Sequence, residues 1–371
     1  MANIVSMDSA IYTKFLAAIS PSHLELRLFA TEKCNFRCVY CYEDFELGRM
    51  EPWVRNGIKN LIEKRCANGL KTLYISWFGG EPLLALDVIE EIQQFQIEML
   101  KKYPDLVPAP SGITTNGYLL TPEVLTKLVG WGVTDYQITL DGSPAHHNKT
   151  RLRADGEGTY DQIFKNLIAA SKTQLDFRID IRMHLHSENG ADVEDVLTNE
   201  LIQYFAGDPR FNLHPISIGN YGGAFDKNNI KTTTREFANG ARARILDRFK
   251  LARNKGQVSM QENAPLHANA PIPSNNPEGG ADVCYAAAAN SFAIRSDGNL
   301  VKCTTALTDA RNQIGKITES GELDIDSALV KLWMTGFVSG NKGELACPLH
   351  KVSTLPHPSG VKIIPIVATQ A

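Results

Sequence analysis

Three cysteines fall within eight residues in TEKCNFRCVYCYE, where Cys34, Cys38 and Cys41 give the spacing C-x3-C-x2-C. The chain has seven cysteines in 371 residues, an odd number and too few for a disulfide framework, so thiols or metal ligands are expected. Three thiolates can bind three irons of a cubane. A 4Fe-4S cluster ordinarily takes four cysteines, so three leave one iron open to an exogenous ligand. An open iron is a place for reaction rather than an electron wire. The competing chemistry is a zinc knuckle short of its fourth ligand; the nearest histidine, His23, lies on the far side of a strand.

Other segments could serve the same site. WFGGEPLL places Gly79, Gly80, Glu81 and Pro82 at a turn before a helix, with glycines that allow close backbone approach and a carboxylate that can accept from an ammonium. TTNGYLL (114 to 120) and ITLDG (138 to 142) hold Thr115, Asn116 and Thr139, while Asn116-Gly117 and Asp141-Gly142 also read as ordinary turn dipeptides. Arg182 lies on a strand, where an arginine is as often an exposed or paired charge, and His146, His147 and Arg151 follow in a loop without an assigned role. Toward the C-terminus stand Cys284, Cys303 and Cys347, with His350 and His357 as further donors, whereas Cys66 reads as a core thiol.

Such side chains need a scaffold, and the apolar periodicity supplies one. LELRLFAT (24 to 31) alternates as a strand and feeds the cysteine loop. Helical spacing of Val54, Ile58, Leu61 and Ile62 follows, then the buried strand 73 to 78, a helix over 83 to 102, and a strand at 112 to 115. Thr121 caps the next helix with Pro122 in its first turn; strands at 133 to 140, 176 to 186 and 212 to 219 alternate with helices near 160 to 171 and 192 to 205. Six strands alternating with helices imply an α/β fold with a parallel sheet and right-handed crossovers, and a ligand site at the strands' carboxyl ends. Periodicity alone does not say whether the sheet closes into a barrel.

The boundaries that follow are a lead-in at 1 to 23, a core domain at 24 to 256, a linker at 257 to 283 rich in Asn, Pro, Gly and Ala, and a small C-terminal domain at 284 to 371. The last opens with SFAIRSDGNLVKC, a hairpin turning at Asp297-Gly298. Acidic and basic residues, 41 and 38, are mixed along the chain, so no basic stripe points to nucleic acid or an anionic membrane. No apolar run is long enough to span a bilayer and the N-terminus lacks a secretory signal, which makes a cytoplasmic protein the expectation.

The cysteine spacing, with aromatic Tyr40 before the last cysteine, resembles the radical S-adenosylmethionine superfamily, and the resemblance extends over most of the chain. It implies a partial (β/α)6 TIM-like barrel and reductive cleavage of S-adenosylmethionine to methionine and a 5'-deoxyadenosyl radical that abstracts a substrate hydrogen. In that family the Gly79-Gly80-Glu81-Pro82 segment would hold the methionine amino group, Thr115, Asn116 and Thr139 would contact cofactor or substrate, and Arg182 would meet the cofactor carboxylate. Cys284, Gly298, Cys303, Ile314 to Ile317 and Cys347 resemble the SPASM and twitch extensions that carry auxiliary iron-sulfur clusters in peptide-modifying enzymes. Their usual C-x2-C-x5-C is replaced here by Cys347-Pro-Leu-His350, so one auxiliary cluster is the most the extension can hold; its fourth iron is open, bound by substrate, or ligated by His350 or His357. Alternatively, the extension has lost its cluster.

The resemblance thus implies a maturase acting on a side chain of a peptide or protein, such as a ribosomally made precursor, with an external electron donor such as flavodoxin or ferredoxin. With about 23 residues before the first strand, no N-terminal peptide-binding domain is expected, and a separate recognition protein could deliver the peptide. The rivals are an anaerobic sulfatase maturase, a radical enzyme on a small molecule, and a non-catalytic iron-sulfur protein.

Overall fold

In a computed structural model, residues 15 to 228, 230 to 257 and 283 to 358 are described; most of the 257 to 283 linker and the last thirteen residues lie outside them. Six strands run parallel: β1 (His23–Thr31), β2 (Thr72–Gly79), β3 (Ser111–Thr115), β4 (Val133–Thr139), β5 (Arg178–Leu185) and β6 (Phe211–Ser217). Helices α1 (Pro52–Ala67), α2 (Leu86–Lys102), α3 (Pro122–Gly130), α4 (Tyr160–Ser171) and α5 (Thr198–Phe205) form the crossovers, and α6 (Arg235–Gln257) packs on β6. This is the expected α/β architecture with a partial barrel. The strand order continues through β7 (Ser291–Ile294), β8 (Asn299–Val301), β9 (Gln313–Ile317) and β10 (Leu323–Ile325), giving β10-β9-β8-β7-β1-β2-β3-β4-β5-β6. β7 pairs parallel with β1, so the C-terminal hairpins extend the core sheet at its first edge.

Alternation along the strands divides the two faces. Leu24, Leu26 and Leu28, Leu73, Ile75 and Trp77, and Ile179, Ile181 and Met183 are buried against the helices in one continuous core. Each fully buried aliphatic side chain of this set contributes on the order of 2 kcal/mol. The intervening positions on the concave face are polar: Glu25 and Arg27 on β1, Asp135 and Gln137 on β4, Asp180 and Arg182 on β5, Asn212 and His214 on β6. An apolar outer face and a polar inner one suit a sheet curled around a hydrophilic ligand. Among the described residues no helix is long and apolar enough to cross a membrane.

Local chemistry shaped the elements as expected in most places. Thr121 accepts from the Val124 amide and Pro122 occupies the first turn of α3. Gly298 takes φ 83° at the β7-β8 turn. The helix expected over 192 to 205 is present, opening as a π-helical stretch, Asp192–Leu197, that continues into α5. A short antiparallel ribbon pairs Phe36–Cys38 with Arg151–Arg153, tying the cysteine loop to the segment after β4.

Candidate functional site

The cysteine loop leaves the carboxyl end of β1 and is held there by backbone contacts that only glycine permits. Gly80 donates to the Thr31 carbonyl and Glu81 to the Lys33 carbonyl. A Cβ on Gly79, at φ 111°, would stand 2.2 Å from the Thr31 oxygen, and one on Gly80 would stand 2.5 Å from the Lys33 oxygen. The two glycines therefore bring the turn after β2 against the root of the cysteine loop.

That packing delivers the Glu81 carboxylate, fully buried, beside the loop. Oε1 accepts from the Leu83 amide at 3.0 Å and the Thr115 hydroxyl at 2.7 Å; Oε2 accepts from the Asn116 amide at 2.7 Å. A carboxylate has about four acceptor sites, so one on Oε2 remains for an outside donor. Burial raises the Glu81 pKa, against the three hydrogen bonds and the Arg151 guanidinium. The Asn116 side chain donates to Asn35 Oδ1 at 2.8 Å, joining the β3 end to the cysteine loop. Pro82 opens the short turn of helix after Glu81, and Thr139 ends β4 in a buried position.

Tyr40 reaches a polar network. Its hydroxyl donates to Asp141 Oδ2, accepts from Arg151 at 2.8 Å and lies 3.3 Å from His184 Nδ1, with the two rings edge to face. Burial alone would raise the Asp141 pKa, but His184 and Arg151 hold the carboxyl below its usual range. His147 Nδ1 accepts from the Asp141 amide at 3.2 Å, and its Nε2 meets the Thr159 hydroxyl at 3.0 Å. Burial, then Arg151, lowers the His147 pKa to about 3, so this ring is a neutral brace. His146 Nδ1 lies 3.1 Å from Asp192. Asp141 is the centre of this network, and nothing in its turn dipeptide distinguished it from a common turn residue.

The thiols are desolvated. Burial raises the Cys34 and Cys38 pKa values and pushes Cys41 up to about 12, and the neighbouring thiols add to the shift at Cys34 and Cys41. Thiolates would form here only with a cation that offsets their charge, which is what iron does. Among the described residues no three His, Cys, Asp or Glu side chains converge closely enough to ligate a single ion. Cys34, Cys38 and Cys41 would each take a different iron of a 4Fe-4S cubane, which would leave one iron without a protein thiolate.

Toward the C-terminus, Cys303 bears on both of the other thiols. Burial raises Cys284 to about 12 and Cys347 to about 11, and in each case Cys303 adds to the shift. The Cys284 amide donates to the Leu345 carbonyl at 2.8 Å, close to Cys347 in sequence, and Asn312 clamps the Cys303 backbone through its amide and carbonyl. The Leu349 and His350 amides face the Cys347 sulfur, whereas the His350 ring is exposed and His357 half-buried. Cys66 is buried in the core, as expected.

Between the two cysteine sets stand Tyr42 and Tyr221, edge to face with ring centroids 5.8 Å apart. Burial, then Glu43, raises the Tyr42 hydroxyl pKa, and Cys41 and Cys303 add to it; burial raises that of Tyr221 against Arg182, and Cys347, Cys303 and Cys284 add to the rise. Tyr221 is carried by the loop Gly219-Asn-Tyr-Gly-Gly223, where a Cβ added at Gly223 (φ 66°) would stand 2.6 Å from the Cys41 carbonyl oxygen. A cavity of about 280 Å³ opens beside Tyr40, lined by Val39, Lys149, Thr150, His186 and Glu188. It adjoins a second of about 320 Å³ at Asn220 and Phe225, with Ile230 and Lys231 shared.

Residues 28 to 198 match the Radical SAM superfamily, a domain that contains the cysteine loop, Glu81, Thr115, Asn116, Thr139 and Arg182. The GTP 3',8-cyclase of Lactiplantibacillus plantarum is 31% identical over 180 residues, covering 47% of this chain and 49% of that protein. The chain spans about half or less of the length of the curated relatives it matches. Among solved structures, anSMEcpe with bound AdoMet superposes with a TM-score of 0.58 at 17% identity, covering 87% of each chain. SuiB of Streptococcus suis bound to the precursor peptide SuiA gives a TM-score of 0.54 at 13% identity, covering 90% of this chain and 74% of SuiB.

Proposed function

We propose that the protein is a radical S-adenosylmethionine enzyme that abstracts hydrogen from a side chain of a peptide substrate. The observation that carries the reading is the pairing of a three-cysteine loop with the buried Glu81 carboxylate, which keeps one acceptor site for an ammonium. Cys34, Cys38 and Cys41 would hold a 4Fe-4S cluster, and Gly79, Gly80, Glu81 and Pro82 would receive the amino-acid end of the nucleotide, with Tyr40, Thr115, Asn116 and Thr139 around it. Bound there, the pair supplies a carbon radical by one-electron cleavage of the sulfonium, with the electron drawn from an external donor such as flavodoxin or ferredoxin. The chain's own work is positional: the Tyr40-Asp141-Arg151-His184 network fixes the cysteine loop over the β4 and β5 ends, and the dry outer core keeps the strand ends rigid.

The effect of Cys303 on both Cys284 and Cys347 supports one auxiliary cluster, which these three thiols would hold. Such a cluster suits a product radical that must lose an electron, as in cross-linking or two-electron oxidation of a peptide, and a separate peptide-recognition protein could deliver the substrate. The likeness to GTP 3',8-cyclases favours a second reading, a small nucleotide substrate. Anaerobic, iron-loaded protein incubated with reductant and S-adenosylmethionine should yield 5'-deoxyadenosine, and mass spectrometry of a co-expressed precursor peptide should show a loss of hydrogen. No 5'-deoxyadenosine with any substrate rejects the radical reading; turnover with GTP and none with peptide replaces the first substrate class by the second.

A further inference from the structure

The ribbon that joins Phe36–Cys38 to Arg151–Arg153 fixes which of its side chains are neighbours. The Val39 amide donates to the Thr150 carbonyl at 2.9 Å, and the Ala154 amide donates to the Asn35 carbonyl at 2.8 Å. Hydrogen-bonded pairs alternate along an antiparallel ladder, so Cys38 and Arg151, which are register partners, form a pair without ladder hydrogen bonds. In such a pair the Cα atoms stand about 4.5 Å apart and the two side chains leave side by side on one face. The Arg151 guanidinium carbon lies 5.8 Å from the centroid of the Phe36 ring, the next residue on that face. Arg151 therefore stands directly beside one of the three loop cysteines.

The arginines of this ribbon differ in how they are satisfied. Arg153 pairs with Asp155, and exposed Arg37 donates to the Cys34 and Phe36 carbonyls. Arg151 is only 7% exposed, and among the described residues its guanidinium makes a single hydrogen bond, from Nη1 to the Tyr40 hydroxyl. Asp141 meets it through that hydroxyl, since the Asp141 oxygens face Tyr40 and His184. The Arg151 Nε–H is shut off from solvent with no acceptor. A buried cation with an orphaned donor is costly unless an anion accepts from it. Burial raises the Cys38 pKa; Arg151 is the largest influence against that rise, ahead of Asp141, which adds to it.

We infer that Arg151 is a positioning residue for the proposed 4Fe-4S cluster: through its free Nε–H and its charge it acts on the Cys38 sulfur and makes the cluster easier to reduce. The inference rests on the radical-enzyme reading for the cluster itself. Reduction adds one electron, and so one negative charge, to the cluster without moving an atom. A cation fixed beside a thiolate ligand stabilises the reduced form more than the oxidised one, and burial keeps salt from screening it. Hydrogen bonds to cluster sulfurs and net charge are among the features that set such potentials. The Tyr40 contact uses Nη1 and leaves Nε for this second role. The gap that an external one-electron donor has to cross is narrowed accordingly.

The test uses the full chain with Cys284→Ala as parent, loaded anaerobically with iron and kept free of S-adenosylmethionine. Electron paramagnetic resonance counts the reduced cluster through a potentiometric titration. At a fixed potential Arg151→Gln should lower the ratio of reduced to oxidised cluster at least about threefold, a downward midpoint shift of at least about 28 mV at 59 mV per decade. Arg151→Lys keeps the charge but not the planar donor fork, and should lower it less than Arg151→Gln does. A second readout needs no variant at Arg151: with arginine side chains of the parent labelled with nitrogen-15, spin-echo modulation of the reduced cluster should show a weakly coupled nitrogen. A fall of less than about threefold in Arg151→Gln, or no coupled arginine nitrogen, overturns the inference and leaves the radical reading standing. If Arg151→Gln does not fold or load iron, the nitrogen coupling decides. Parent protein that takes up no iron overturns the radical reading and this inference together.

Discussion

Glu81 accepts from Leu83, Thr115 and Asn116, so an amide in its place would set its own N–H groups against at least one backbone donor. Glu81→Gln should cost about 1 to 3 kcal/mol of stability, read by urea unfolding, and also remove S-adenosylmethionine binding in the iron-loaded protein. Retention of that binding would detach Glu81 from the cofactor. His147 makes a separate prediction. Its folded pKa of about 3 lies below the unfolded value near 6.5, so the unfolded chain binds the extra proton first and stability falls as pH drops from about 6.5 toward 3. Between pH 7.5 and 5.5 this site alone should cost about 1 kcal/mol, and urea curves of His147→Gln should show that much less acid sensitivity. The roles of Cys34, Cys38, Cys41 and Glu81 could be read from spacing because their chemistry requires fixed residue types. Asp141 could not, since it and its neighbours Tyr40, Arg151 and His184 come from four different segments and meet only after folding.

The six parallel strands were legible because each buries one alternating face against helices of matching period, and predicted and observed limits differ by two residues or fewer at most ends. The Phe36–Cys38 and Arg151–Arg153 ribbon was not, because three residues carry no periodicity. Nor was the pairing of β7 with β1, a contact between segments more than two hundred residues apart. That junction depends on Glu32, which starts the cysteine loop and forms a buried ion pair with Arg295 while accepting from the Ser296 amide. Arg295→Gln would leave the Glu32 carboxylate buried without its counter-charge, an expected loss of about 3 to 5 kcal/mol in anaerobic thermal or urea unfolding. A loss below about 1 kcal/mol would show that the C-terminal hairpins do not depend on this pair to hold the loop.

Across the molecule, one sheet carries two cysteine sets, and the aromatic pair Tyr42 and Tyr221 stands between them. The sequence showed both sets but not their relation, since the loop bearing Tyr221 comes after the sixth strand and packs back onto Cys41. If each set holds a cubane, Cys284→Ala should lower iron content by about four per chain and leave the N-terminal cluster in place. Unchanged iron would mean that Cys284, Cys303 and Cys347 are packing thiols. The same variant provides the cleanest background for the account's main requirement, an iron open to S-adenosylmethionine beside Glu81. Electron paramagnetic resonance of reduced Cys284→Ala protein should show a 4Fe-4S signal whose g-values move when S-adenosylmethionine is added. A signal indifferent to the nucleotide, or protein without iron, would contradict it.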